Sequence, residues 1–483
     1  MIGRSDEVSI LQALYDTEHA EFLAIYGRRR VGKTYLIRSF FAEQECVFFN
    51  VTGTKSAPFT TQKKHFTQRI GEIFFHGVEP KAGATWDDTF ALLHQAIKSI
   101  APDKKIILFL DELPWMATPR SRLLETIDYY WNQYWSMDKR VKLIICGSFA
   151  SWIIKNIIQD RGGLHNRITR EIHLKPLSLS QTRHFLQQRG VHLNDNHIVQ
   201  LYFMMGGVPF YLTKVSPGLS AQQIMSSLLH GPQSFLIGEF DKLFTSLFDN
   251  AADYVNLVRH LAQKQEGMGE RQLLAALGKH AVGAKGKKIL NDLEHTGFIM
   301  SFLPLYRKRQ GRFYRLTDEY TLFYLRWIEP IKTALQQGTI AQEYWQHIQS
   351  TPAWKSWQGY AFESVCHKHV NKIRQALKLS PLDMSGTWRY TPKPSSPMRG
   401  AQIDLLFDRC DDAISLCEIK YSQKPFTISK DYGEILQQKQ AVFHTHTHTT
   451  KHLFWVLIAA HGVADNEHAR ALISQVVTIK DLF

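Results

Sequence analysis

Three charged side chains near the end of this 483-residue chain stand where a buried strand would not carry them. In IDLLFDRCDDAISLCEIKYS, residues 403 to 422, two apolar runs flank an Asp-Asp turn, the pattern of a β-hairpin. Asp404 lies in the first run; Glu418 and Lys420 lie in the second. Buried charge is costly unless it is paired or engaged with a metal ion. Two carboxylates on adjacent strands offer hard oxygen ligands suited to Mg²⁺. The carbonyl of Ile419 adds a third oxygen, and Lys420 can position water or offset developing negative charge. A hairpin carrying a chance salt bridge is the plainer alternative.

A second constellation opens the chain. EFLAIYGRRRVGKTYLIRSF reads as strand, loop and helix, and its loop spans Gly27, Arg28, Arg29, Arg30, Val31, Gly32, Lys33 and Thr34. The spacing Gly27-x4-Gly32-Lys33-Thr34 is the Walker A pattern in its proper context. Glycines let main-chain amides wrap around nucleotide phosphates at a helix N-terminus, where negative charge is favoured. Lys33 should reach the terminal phosphates of ATP and Thr34 should help hold Mg²⁺. A second apolar strand, in KKIILFLDELPWM, ends in Asp111-Glu112. That position puts both acids at the carboxyl edge of a sheet, where α/β proteins bind ligands. Asp111 suits Mg²⁺, and Glu112 suits a base that polarises water, although two acids capping the next helix would occupy the same positions.

Two further strands follow. VKLIICGS ends in Ser148, placed to sense a terminal phosphate. REIHLKPLS follows a loop carrying Arg167 and Arg170. An arginine there can serve as a finger on a neighbouring subunit's nucleotide, which implies a homo-oligomer, or can be a surface cation.

Hydrophobic residues make up 44% of the chain, which excludes a disordered polymer, and the length suits two to four domains. The net charge of +14 points to a polyanionic partner, with nucleic acid, above all DNA, the leading candidate. Five cysteines at 46, 146, 366, 410 and 417 form no zinc spacing, which suits a reducing cytoplasm. Arg4, Asp6 and Glu7 break any early signal sequence, and the apolar run 453–460 is too short to cross a bilayer. No membrane association is expected.

Together, IGRSDEVSILQALY, IYGRRRVGKTYLI, FLDELPWM, LIICGS, LHNRITREIHLKPLS and GGVPFYL resemble the archaeal-type ATPase family, found also in bacteria. That family belongs to the STAND branch of P-loop ATPases related to AAA+ proteins. The resemblance covers residues 1 to about 330. It implies a parallel sheet whose Walker A and Walker B strands are separated by a third, followed by a helical lid. By the same resemblance Ser148 matches the first sensor and Arg167 the arginine before the last strand. GGVP at 206–209 stands where AAA+ proteins often place a second-sensor arginine, so Pro209 matches the STAND-type nucleotide contact.

Residues 251–316 read as three helices and a two-stranded wing, resembling the winged helix that follows the lid in that family. Twelve Lys and Arg stand against five Asp and Glu, so half the chain's excess charge lies here. Lys285, Lys287 and Lys288 open the third helix, and Arg307, Lys308, Arg309 and Arg312 mark the wing; both suit nucleic-acid contact. A solvated face of a switch module is the alternative. HTHTHTTKH, from His444 to His452, reads as a polar loop between helix and strand.

The last stretch runs helix, three strands, helix, strand, helix. This order, with Asp404-x13-Glu418-x-Lys420, resembles the PD-(D/E)xK nuclease superfamily, and Glu363 on the first helix matches an acid many members carry. Ile403 replaces the usual proline before the first acid. The stretch also resembles an uncharacterised C-terminal domain that accompanies the ATPase family.

The expected fold is α/β: a P-loop ATPase sheet with a helical lid, an all-α/winged-helix module, and a C-terminal α/β domain like restriction endonucleases. The expected boundaries are 1–180 for the ATPase domain, 181–249 for the lid and 250–330 for the winged helix and a bridging helix. A helical linker at 331–351 precedes the nuclease-like domain at 352–483. The expected function is ATP hydrolysis with DNA binding and Mg²⁺-dependent cleavage; a nucleotide-controlled DNA-binding regulator and an ATP-driven remodeller are the alternatives.

Overall fold

The structure is a computed structural model, and it describes residues 3–159, 163–164, 166–229, 234–264, 266–278, 283–306, 311–340, 343–392 and 399–483. The chain forms two compact units. The first comprises Met1–Pro176 with Val208–Phe210 and Leu290–Gly297; the second comprises Leu177–Gly207, Tyr211–Ile289 and Phe298–Phe483.

The first unit is built on five parallel strands: β1 (Glu21–Tyr26), β2 (Cys46–Thr52), β3 (Lys105–Asp111), β4 (Val141–Gly147) and β5 (Arg170–His173). Their order is β2-β3-β4-β1-β5, so β4 separates the Walker A strand from the Walker B strand as expected. A parallel sheet covered on both faces needs apolar residues in both directions, which explains why FLAIY, IILFL and LIIC are unbroken apolar runs. Phe22, Ala24, Leu108, Leu143 and Ile145 enter one core with Trp86, Phe90 and Trp131. Leu23, Ile25, Phe109, Ile144 and Cys146 enter the other, with Leu36, Ile37 and Phe40 of the helix Lys33–Phe41.

The second unit begins with helices Leu179–Gln188, Asp195–Met205, Ala221–Leu229 and Phe235–Leu247. Next along the chain come helix Ala251–Ala262, strand β6 (Met268–Gly269), helices Glu270–Ala276 and Ala284–His295, the latter counted with the first unit from Leu290 onward, and strands β7 (Ile299–Phe302) and β8 (Phe313–Leu316). The three strands form one antiparallel sheet in the order β6-β8-β7.

The C-terminal sheet has the order β13-β12-β11-β10-β9. It comprises β9 (Met384–Tyr390), β10 (Ala401–Asp408), β11 (Ala413–Lys420), β12 (His452–Ala459) and β13 (Ile473–Val477). β9, β10 and β11 pair antiparallel, whereas β11, β12 and β13 run parallel. Trp388, Ile403, Leu406, Leu416 and Trp455 pack against Leu436 and Phe443 of the helix Lys430–Thr447. Leu405 lies opposite Cys417, so Asp404 and Glu418 follow one step further along neighbouring strands.

Two local expectations are corrected. His444 and His446 belong to the last turns of the helix Lys430–Thr447, so the polar loop begins only at His448, whose φ of 53° ends the helix in the left-handed region. NEHARALIS is only partly helical: the helix ends at Leu472, and Ile473 begins β13. Among the described residues, no helix is long and apolar enough to cross a membrane.

Candidate functional site

The phosphate loop leaves the end of β1 and turns into the helix Lys33–Phe41. Gly27 (φ 146°) passes so close to the Leu174 main chain that a side chain would collide with the carbonyl oxygen, and Gly32 (φ 95°) needs the left-handed region. Lys33 is buried and donates to the carbonyls of Gly27 (2.9 Å) and Arg28 (3.1 Å) and to Ser148 Oγ (3.0 Å). Thr34 Oγ1 donates to Asp111 Oδ2 at 2.9 Å. Hydroxyl and carboxylate are thus adjacent, a donor set that suits Mg²⁺ beside a nucleotide.

Glu112 takes a left-handed backbone (φ 48°), a strained conformation for a residue with a side chain. Its carboxylate is held by Ser148, whose amide donates to Oε2 at 2.9 Å and whose hydroxyl donates to Oε1. The strand ends therefore bring Lys33, Thr34, Asp111, Glu112 and Ser148 together. Arg28 and Val31 are buried, while Arg29 and Arg30 are half-buried on the loop. Arg30 lies 3.9 Å over the Phe210 ring, which brings the segment containing Pro209 to the loop. Arg167 is exposed on the turn before β5.

One contributor was not anticipated. Arg4 is buried and donates from Nη2 to the carbonyls of Val31 (3.1 Å) and Lys175 (2.8 Å), fastening the loop. Its place in the IGR segment was the available signal. Thr52 also donates to Asp111 Oδ2, at 3.4 Å.

In the second unit, Asp404, Glu418, Lys420 and Glu363 converge, Glu363 arriving from the helix Pro352–Lys368. Asp404 accepts from the Ile419 amide (3.1 Å) and from Gln402 Nε2 (3.3 Å). Burial, then the charges of Glu418 and Glu363, push its carboxyl up to about 7. Burial also raises Glu363, and repulsion from Glu418 adds to this. Burial opposes the charge of Glu418 too, but Lys420 (3.0 Å) and Lys439 (2.7 Å) outweigh it and hold Glu418 below the usual carboxylate range. Tyr432 donates to the same carboxylate at 2.6 Å.

Tyr432 and Lys439 were missed by the sequence reading, although their seven-residue spacing on one helix puts them on one face. The expected Mg²⁺ ligands Asp404, Glu418 and Ile419 are adjacent. Among the described residues, however, no three His, Cys, Asp or Glu side chains form a group able to hold a metal ion.

Of the expected nucleic-acid residues, Lys285, Lys287, Lys288 and Arg312 are exposed, and Lys285 pairs with Asp253 at 2.8 Å. Arg307, Lys308 and Arg309 lie outside the described residues.

The loop, the acid pair and the five-stranded parallel sheet have the arrangement typical of P-loop ATPases. Residues 1–215 match a family described as an ATPase domain predominantly from Archaea. The chain is 24% identical over 458 residues to an uncharacterized protein of Methanocaldococcus jannaschii, covering 91% of this chain and 92% of that protein. Among solved structures, the Walker-type ATPase of Pyrococcus abyssi is 18% identical, with 68% of this chain and 96% of that chain covered and a TM-score of 0.48. The ORC2 protein of Aeropyrum pernix is 14% identical, with coverages of 68% and 94% and a TM-score of 0.41.

Proposed function

We propose that the chain is an ATP-hydrolysing protein that binds DNA and cleaves it through its C-terminal acid cluster. The observation that carries this reading is the convergence of Glu363, Asp404, Glu418 and Lys420 from a helix and two adjacent strands.

In the first unit Lys33 leaves its carbonyl partners for the terminal phosphates, and Pro209 completes the nucleotide pocket. Thr34 and Asp111 would hold Mg²⁺, and Glu112 orients water toward the phosphate. Arg167, exposed, serves as a finger on a second copy of the chain.

In the second unit burial and mutual repulsion disfavour charge on Asp404 and Glu363, a cost that a hard cation would offset. Asp404, Glu418 and the Ile419 carbonyl would hold Mg²⁺, which when bound supplies charge neutralisation at the phosphodiester and a more acidic water. Lys420 would position the attacking water. The segment 251–316, read as a winged helix, contributes Lys287, Lys288 and Arg312 to phosphate contact.

One observation favours the regulator reading: both Glu418 oxygens already have partners in Tyr432 and Lys439. Incubating the purified protein with plasmid DNA and with RNA, with and without ATP and Mg²⁺, separates the two. Cutting that requires Mg²⁺ supports the nuclease; tight binding without cutting under every condition supports the regulator.

A further inference from the structure

A cavity of about 610 Å³ opens in the second unit between the β6-β8-β7 sheet and the edge of the C-terminal sheet. Its wall includes Glu363 and Gln402, so it leads to the acid cluster around Asp404. It also includes Arg315 of β8, which faces Glu363, and Trp388 and Arg389 of β9.

Arg315 is the informative one. Its side chain is only 7% exposed, an expensive place for a guanidinium. Its nearest carboxylate oxygen, Glu363 Oε1, is 3.9 Å away, beyond hydrogen-bond distance, and its Nε is buried with no hydrogen-bond partner. The cation also lies 4.3 Å over the Phe302 ring. A buried guanidinium with an unused donor, facing a cavity beside an acid cluster, is organised to receive an anion. Arg389 stands at the same cavity with half its side chain exposed, engaged by Glu266 at 2.8 Å. The rings of Phe302, Phe313 and Tyr390 line the same cavity. Cations and rings lining one cavity are what a single strand of nucleic acid needs: guanidinium groups for phosphates and flat faces for bases. A duplex, whose major groove alone is about 12 Å wide, does not fit a cavity of this size.

We propose that this cavity is a binding site for single-stranded nucleic acid, or an unpaired end, with Arg315 and Arg389 as phosphate contacts. This deepens the cleavage reading and rests on it for the fate of the strand, but not for its binding. Glu266 is then a competitor: it holds Arg389 until a phosphate displaces it.

The test is fluorescence anisotropy with the full-length protein in EDTA, where cleavage plays no part. The probes are a labelled single-stranded DNA, a single-stranded RNA of the same sequence, and a blunt DNA duplex. Arg315→Gln and Arg389→Gln should each weaken single-strand binding by about tenfold. Each should also lower the steepness of log affinity against log salt by about 0.7. Duplex binding should be unchanged, and Glu266→Gln should strengthen single-strand binding severalfold. Arg389→Gln and Glu266→Gln alter a partly exposed pair, so they keep the test meaningful if Arg315→Gln folds poorly. The tighter of the two single strands identifies the polymer. Unchanged single-strand affinity in Arg389→Gln and Glu266→Gln, or equal losses on duplex, would overturn the proposal. A protein that binds single strands through these arginines but never cuts would leave this site standing and remove the nuclease reading alone.

Discussion

Ser148 grips Glu112 with both of its donors, amide to Oε2 at 2.9 Å and hydroxyl to Oε1, while the same hydroxyl accepts from Lys33 at 3.0 Å. One side chain thus links the lysine that would meet the terminal phosphate to the acid that would orient water. Glu112→Gln keeps the shape of this contact and loses the base. It should bind ATP with near-wild-type affinity and turn over about 10²- to 10⁴-fold more slowly, measured by nucleotide titration beside phosphate release. Wild-type turnover would remove Glu112 from the reaction.

Arg4 braces the loop from behind through the carbonyls of Val31 and Lys175. Arg4→Ala leaves buried carbonyls short of a donor, which costs about 1–3 kcal/mol. The variant should show a lower melting temperature and weaker ATP binding, and saturating ATP should recover part of the loss. A melting curve with and without nucleotide reads both.

On the basic segment, Lys287→Ala and Arg312→Ala should each weaken duplex DNA binding and lower the salt dependence by about 0.9 per contact. Lys285→Ala should do less, because Lys285 is already paired with Asp253. An unchanged salt slope in all three would make this charge a solvated face.

Asp404 gives a pH signature. Its carboxyl is raised to about 7 by burial and by Glu418 and Glu363, against about 3.9 in an unfolded chain. Between those values the folded state holds more protons than the unfolded state, so stability should fall as pH rises through that window. The loss, on the order of 4 kcal/mol, is absent below pH 4 and complete above pH 7. Thermal melts in EDTA from pH 5 to 8 should show this decline, and Asp404→Asn should flatten it.

Much of this was legible because the chemistry is local. Gly27 to Thr34 is contiguous, and Asp111-Glu112 ends an unbroken apolar strand, so the meeting of these residues at the candidate site could be read directly. Asp404, Glu418 and Lys420 share one hairpin, whose antiparallel register dictates their proximity. What escaped depends on packing. Tyr432 and Lys439 reach Glu418 only because the helix after β11 lies across it, and Arg315 meets Glu363 from a different sheet. Residues 473–477 carry no clean strand pattern, because Ser474 and Gln475 interrupt the stretch, which becomes a strand only by pairing with β12.

The central claim is that Asp404 holds a cation for chemistry that Lys420 assists. Titrating Mn²⁺ into the full-length protein without nucleotide, by calorimetry, tests it most directly. Wild type and Lys420→Ala should both bind Mn²⁺, Asp404→Ala should lose that binding, and Lys33→Ala should keep it, since Lys33 belongs to the other unit. Equal Mn²⁺ binding by wild type and Asp404→Ala, or none by wild type, would contradict the account and leave the three charges as a structural pairing within a hairpin.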